Sequence, residues 1–115
     1  MGLDQRAFIR EDTPLTDWRK HNRLQGFMEN LWREKTNSQS EFNLEDLYLE
    51  LEDIEKLEKA IYDKTLPATE GFFFGNDSYK DGEYEEYHLE DDMKFIQQAK
   101  KALDAGKRVI YSSWW

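Results

Sequence analysis

His21 and His88 are the only histidines in the 115-residue chain, and histidine is the side chain whose ordinary titration lies nearest neutral pH. They are therefore the first candidates for acid–base or metal chemistry. His88 is followed by Glu90, Asp91 and Asp92, oxygen donors that a hard cation accepts. The same three acids stand where a helix would begin, and cap and dipole partnership is the role expected of them there. No recognised metal-ligand spacing accompanies them, so neither a metal nor a cofactor is expected.

Other routes to catalysis fare no better. With 25 Asp and Glu in the chain some carboxylates must lie close together, so a carboxylate pair is uninformative. Cysteine is absent, which removes thiolate nucleophiles, disulfides and Cys-based zinc sites together. Ser112 and Ser113 fall in a β-branched, aromatic stretch with no G-x-S-x-G elbow around them. Gly71-Phe72-Phe73-Phe74-Gly75 has the outline of a glycine loop, but three phenylalanines place bulk where a phosphate cradle needs bare backbone N–H groups. Those phenylalanines read as core. No catalytic residue is assigned, and an enzyme is not the expectation.

Binding is the better-supported class. The chain holds 4 Trp, 6 Tyr and 7 Phe, more rings than a domain of this size buries with ease. An exposed aromatic patch or pocket built from Phe72, Phe74, Tyr111 and Trp114 is expected, with Trp18 or Trp32 approaching from a helix. Charge is the second signal. The net charge is −9, residues 1–39 are close to neutral, and residues 40–115 carry about −10. The excess concentrates in Glu41 to Glu58 and Asp77 to Asp92. Glu45, Glu52, Asp53, Glu83, Glu85 and Glu86 are the candidates for one acidic surface. Such a surface repels nucleic acid and anionic membranes and attracts basic partners.

These residues need a scaffold. The length permits one domain, residues 1–115, with one modest core. Mean hydropathy is low at −0.97, yet 15% aromatic residues argue for a folded chain. No apolar run approaches the ~20 residues of a membrane span, and no secretory pattern opens the chain; an intracellular setting is expected. Leu3 to Ile9 reads as a strand. Thr16 and Asp17 suggest the cap and first turn of a helix to about Lys35, with Trp18, Leu24, Phe27, Met28, Leu31 and Trp32 on one stripe. Leu44, Leu47, Leu51, Ile54, Leu57 and Ile61 predict a second helix, opened by an Asn43/Asp46 capping box and ended before Pro67. Asp81-Gly82 between aromatic residues signals a hairpin. A third helix is expected from about Leu89 to Ala105, stopped by Gly106. Arg108 to Trp115 reads as a closing strand. The predicted class is α+β: a small sheet of the N- and C-terminal strands plus the Phe72–Phe74 segment, covered by three helices.

Four segments together resemble a family of small uncharacterised proteins from tailed bacteriophages, cyanophages and prophages. They are Met1-Gly2-Leu3-Asp4, Trp18-Arg19-Lys20-His21-Asn22, Gly71 to Gly75 with Tyr79 and Tyr84 to Tyr87 after it, and Tyr111-Ser112-Ser113-Trp114. The family often has a histidine one turn after the Trp-Arg-Lys run, where this chain has Gln25. The resemblance implies a phage origin, and hence the cytoplasm of an infected bacterial host, but no mechanism.

The expected function is therefore a non-catalytic phage accessory protein, an acidic interaction module for a host or phage macromolecule, for example an inhibitor that imitates nucleic acid. Its partner would be a basic protein rather than nucleic acid or membrane. The alternative is a small-molecule binder or small enzyme with an aromatic-lined pocket around Phe72, Phe74, Tyr111 and Trp114. A third reading is a homodimer paired through the terminal strand.

Overall fold

The two ends of the chain meet in one sheet. In the computed structural model, which describes residues 3–10, 13–19, 21–43, 45–67, 82, 84 and 88–114, β1 (Asp4–Ile9) runs antiparallel to β4 (Val109–Trp114). Their register joins Asp4 to Trp114 at one end and Ile9 to Val109 at the other. β2 (Thr13–Arg19) pairs antiparallel with β1, and β3 (Leu47–Leu49) with β4, giving the order β2-β1-β4-β3. Among the described residues three helices accompany the sheet: α1 (Asn22–Thr36), α2 (Leu51–Asp63) and α3 (Glu90–Asp104). The α+β class and the pairing of the terminal strands are as the sequence predicts. The Phe72–Phe74 strand and the Asp81-Gly82 hairpin lie outside the described residues, apart from Gly82 itself, whose φ is +74°.

Two expected helical starts are strands instead. Thr16 is not a helix cap, and Trp18 is not on a helix: both lie in β2, where Thr16 and Trp18 are buried while Asp17 and Arg19 face outward. That two-residue alternation suits an edge strand, and β1 supplies the ladder that a helix would forgo. Leu15 has no opposite residue, because Ala7 pairs with Thr16 and Phe8 with Pro14. It forms a bulge that bends β2 at its start. The predicted second helix begins at Leu51 rather than near Asn43. Leu47 and Leu49 are diverted into β3, pairing with Tyr111 and Val109. The capping box is accordingly Glu50 with Asp53, whose Oδ2 accepts the Glu50 N–H at 2.8 Å. α2 ends before Pro67 as expected, at Lys64 in the left-handed region.

The core lies between one sheet face and the helices. Gln5, Ala7 and Ile9 of β1, Trp18 of β2, Leu47 and Leu49 of β3, and Val109 and Tyr111 of β4 share that face. Trp18 meets Phe95 of α3 edge to face, ring centroids 5.2 Å apart, a geometry worth about 1 kcal/mol beyond the buried area. Trp32 of α1 stacks on Phe42 at 5.0 Å, and Phe42 on Tyr111 at 6.2 Å. α2 packs against α3, and its Ile54, Leu57 and Ile61 belong to the same core cluster as the sheet residues. The opposite sheet face carries Asp4, Arg6, Phe8, Ser112 and Trp114.

Candidate functional site

The polar residues singled out for chemistry converge, but inside the core. His21 lies in the short link between β2 and α1, and its own carbonyl accepts the Gln25 N–H at 3.1 Å, opening the helix. From β1, Gln5 holds this link as a strand neighbour would: its Oε1 accepts the His21 N–H, and its Nε2 donates to the His21 carbonyl, both at 2.9 Å. The imidazole Nε2 is thereby placed 2.8 Å from Asp92 Oδ2 in the first turn of α3.

Asp92 collects three partners. Trp18 Nε1–H donates to Oδ1 at 2.9 Å and the Tyr84 hydroxyl to Oδ2 at 2.6 Å, beside the His21 contact. His21 is 0% exposed and Asp92 and Tyr84 1%. A carboxylate in such a place would be costly if unpaired; three donors, two from the end of β2 and the link after it and one from Tyr84, satisfy it. His88 stacks on His21 with centroids 3.9 Å apart and planes within 4°. Asp92 is thus neither a simple dipole partner nor an exposed cation ligand, whereas Glu90 and Asp91 are exposed at the start of α3. Among the described residues no group of three or more His, Cys, Asp or Glu side chains is arranged to hold a metal.

A second polar chain adjoins the first. Gln5 Nε2 donates to the Tyr111 hydroxyl at 2.9 Å, and that hydroxyl donates to Gln25 Oε1 at 2.6 Å. Tyr111 is 0% exposed, and burial pushes its phenol well above the ordinary tyrosine range, against the weaker opposite pull of the Gln5 hydrogen bond. With the Asp92 set, this chain joins β1, β2, α1, α3 and β4, the two sets meeting where Gln5 holds the His21 backbone. Chemically the arrangement locks tautomers and rotamers; it is a buried clamp. Sequence reasoning separated these residues because nothing in their spacing, 71 residues from His21 to Asp92, signals contact.

The expected aromatic patch does not form as drawn. Tyr111 belongs to the core face, and Trp114, three residues on along a strand, points to the opposite face, where it is 39% exposed. Trp114 borders a cleft of about 440 Å³ with Asp4, Arg6, Phe8, Pro14 and Asp17, and the Arg6 guanidinium sits 4.3 Å over the Phe8 ring. Phe72 and Phe74 lie outside the described residues.

The six acids expected to form one surface fall into three groups. Glu45 and Glu52 are exposed. Asp53 is not a surface acid: it is buried, caps α2 and pairs with Lys35. Along α2 the acids are locally compensated, Glu52 by Lys56 at 3.6 Å, Asp63 by Lys59 at 3.2 Å and Glu58 by Lys100 at 2.7 Å. The Glu58 hydrogen bond holds the Lys100 ammonium above its ordinary range. Just before the helix Glu41, Glu45, Asp46 and Glu50 are exposed, without an ion pair among the described residues, together with Tyr48 and Leu51. Glu83, Glu85 and Glu86 lie outside the described residues. Among the described residues no helix is long and apolar enough to cross a membrane. No protein family, curated protein or solved structure matches the chain.

Proposed function

We propose that this chain is a non-catalytic interaction module, a phage accessory protein that binds a basic host or phage protein in the infected cell's cytoplasm. One observation carries the reading. The acid–base groups of the core are sealed, His21 and Tyr84 on Asp92 and Tyr111 between Gln5 and Gln25, while the segment from Glu41 to Glu52 presents acids interleaved with exposed Tyr48 and Leu51. Acids steer a basic partner and exposed rings and leucines anchor it. β3 also ends the sheet, and Lys35 Nζ donates to the Tyr48 carbonyl at 2.8 Å, which blunts that edge against strand pairing. The phage origin rests on the four-segment resemblance.

The test is affinity capture from host lysate with the full chain and with a Glu41→Gln, Glu45→Gln, Asp46→Asn, Glu52→Gln variant. A basic protein retained at low salt, released at high salt and lost with the variant is expected. Retention that ignores both salt and the substitutions, or no retained partner, overturns the proposal.

A further inference from the structure

Where α3 ends beside the end of β1 and the start of β2, Ile9, Leu15, Ala102 and Ala105 floor an apolar cleft of about 250 Å³ rimmed by Lys101 and Lys107. A second cleft of about 240 Å³ shares Ile9 and Lys107 with it and adds Arg10 and Arg108. The two arginines are tied side by side, because the Arg10 N–H donates to the Arg108 carbonyl at 3.1 Å. The bulged Leu15 turns its side chain toward this floor, partly buried against the core.

What marks this pole is the clustering of its cations, since Arg6 and Lys94 are likewise exposed and without an ion pair among the described residues. In a chain of net charge −9, Arg19, Arg33, Lys35, Lys56, Lys59 and Lys100 each meet a carboxylate. Arg10, Lys101, Lys107 and Arg108 are all exposed, and among the described residues none of them forms an ion pair. The helix dipole accounts for a cation in the last turn of α3, such as Lys101. It does not account for Arg10, Lys107 and Arg108, which lie outside the helix. Asp104 is the exposed acid nearest in the chain to Lys101, and Glu11 and Asp12, which follow Arg10, lie outside the described residues.

We infer that this pole is a docking site for an acidic segment of a partner protein that carries one apolar anchor residue. The anchor fills the Ile9–Leu15–Ala102–Ala105 floor, and flanking carboxylates meet Lys101 and Lys107 on one side and Arg10 and Arg108 on the other. Size favours a side chain over a small molecule, since about 250 Å³ falls below the roughly 300–1,000 Å³ of pockets that enclose a drug-sized ligand. Composition favours protein over nucleic acid, since the floor is aliphatic and offers no ring on which a base would stack. The site is opposite in sign to the acidic surface before α2 and adjoins it where the Arg108 guanidinium lies 5.9 Å from the centre of the Tyr48 ring.

The measurement is fluorescence anisotropy of the full chain with a labelled short peptide of Asp and Glu around one Leu, at low ionic strength. Saturable binding is expected, weakened about ten-fold or more when the peptide Leu becomes Ser, and by a similar factor in a Lys101→Glu, Lys107→Glu variant. Ala105→Trp, an exposed position that fills the cleft, should weaken the Leu peptide and leave the Ser peptide unchanged. Absence of saturable binding, equal binding of the two peptides, or indifference to the charge reversals overturns the inference. Tighter binding of a single-stranded oligonucleotide of equal charge overturns it in favour of nucleic acid. Self-association of the free chain that the same charge reversals abolish overturns it in favour of a second copy.

Discussion

Trp18 and His21, three residues apart across the end of β2, both reach the carboxylate of Asp92, one to each oxygen, at 2.9 and 2.8 Å. The strand therefore places Trp18 on the core face, and the link after it brings the imidazole to the same acid. Because Asp92 lies in the first turn of α3, the contact fixes where that helix sits against the sheet. Phe95, one turn on, then meets the Trp18 ring.

Asp92→Asn should be strongly destabilising. The amide presents an N–H₂ where the carboxylate accepted, so at least one buried donor among Trp18, His21 and Tyr84 loses its partner. Removing one partner from a buried charged set costs about 3–5 kcal/mol. Urea unfolding followed by tryptophan fluorescence measures it, and a loss below about 1 kcal/mol would show that the cluster contributes little.

Tyr111 predicts an alkaline limb. Its phenol is raised by burial, so the folded chain keeps that proton above about pH 10, where an unfolded tyrosine loses it. The unfolded state then binds fewer protons, and stability falls as pH rises through that range, by at most about 1.4 kcal/mol per unit for this group. Below about pH 10 its contribution is complete. Tyr111→Phe should remove the limb while costing about 1–3 kcal/mol at neutral pH, since Gln5 and Gln25 lose their shared hydroxyl. Denaturation curves at several alkaline pH values compare the two chains.

Asp53 and Glu52, adjacent in sequence, should part company on substitution. Asp53→Ala removes the acceptor of the Glu50 N–H and the partner of Lys35, a cap loss of about 1–2 kcal/mol. Glu52→Gln touches only an exposed i,i+4 pair and should stay within about 0.5 kcal/mol. Thermal melting of both variants checks the contrast.

The ends of α2 and α3 invite opposite exchanges. Gly106 has φ +78° with nothing within 4 Å of a built Cβ, and its N–H and that of Lys107 close the helix onto Leu103 and Ala102. Gly106→Ala should cost about 1 kcal/mol through backbone strain alone. Lys64 ends α2 at φ 55°, with Thr65 N–H reaching the Ala60 carbonyl in the same manner. Lys64→Gly should raise stability by about 0.5–1 kcal/mol. Denaturant midpoints measure both.

The local chemistry of the chain determines a good deal of this protein. The leucine and isoleucine spacing of α2, the acids opening α3, the glycine closing it and the β-branched run of β4 all act through neighbours within a few residues, so they are legible without a fold. Thr13–Arg19 and Leu47–Leu49 are different. Trp18 fits a helical stripe with Leu24 and Met28, and Leu47 fits one with Leu51 and Ile54; only the ladders offered by β1 and β4 decide for strand. Asp53 reads as one more surface acid until α2 is seen to begin at Leu51, which makes it a cap. Tyr111 and Trp114 read as one patch until the sheet register sends them to opposite faces. The pairing of His21 with Asp92 and the gathering of Arg10, Lys101, Lys107 and Arg108 at one pole are likewise products of tertiary structure. Burial and charge proximity depend on segments brought together from across the chain, and no spacing along it encodes them.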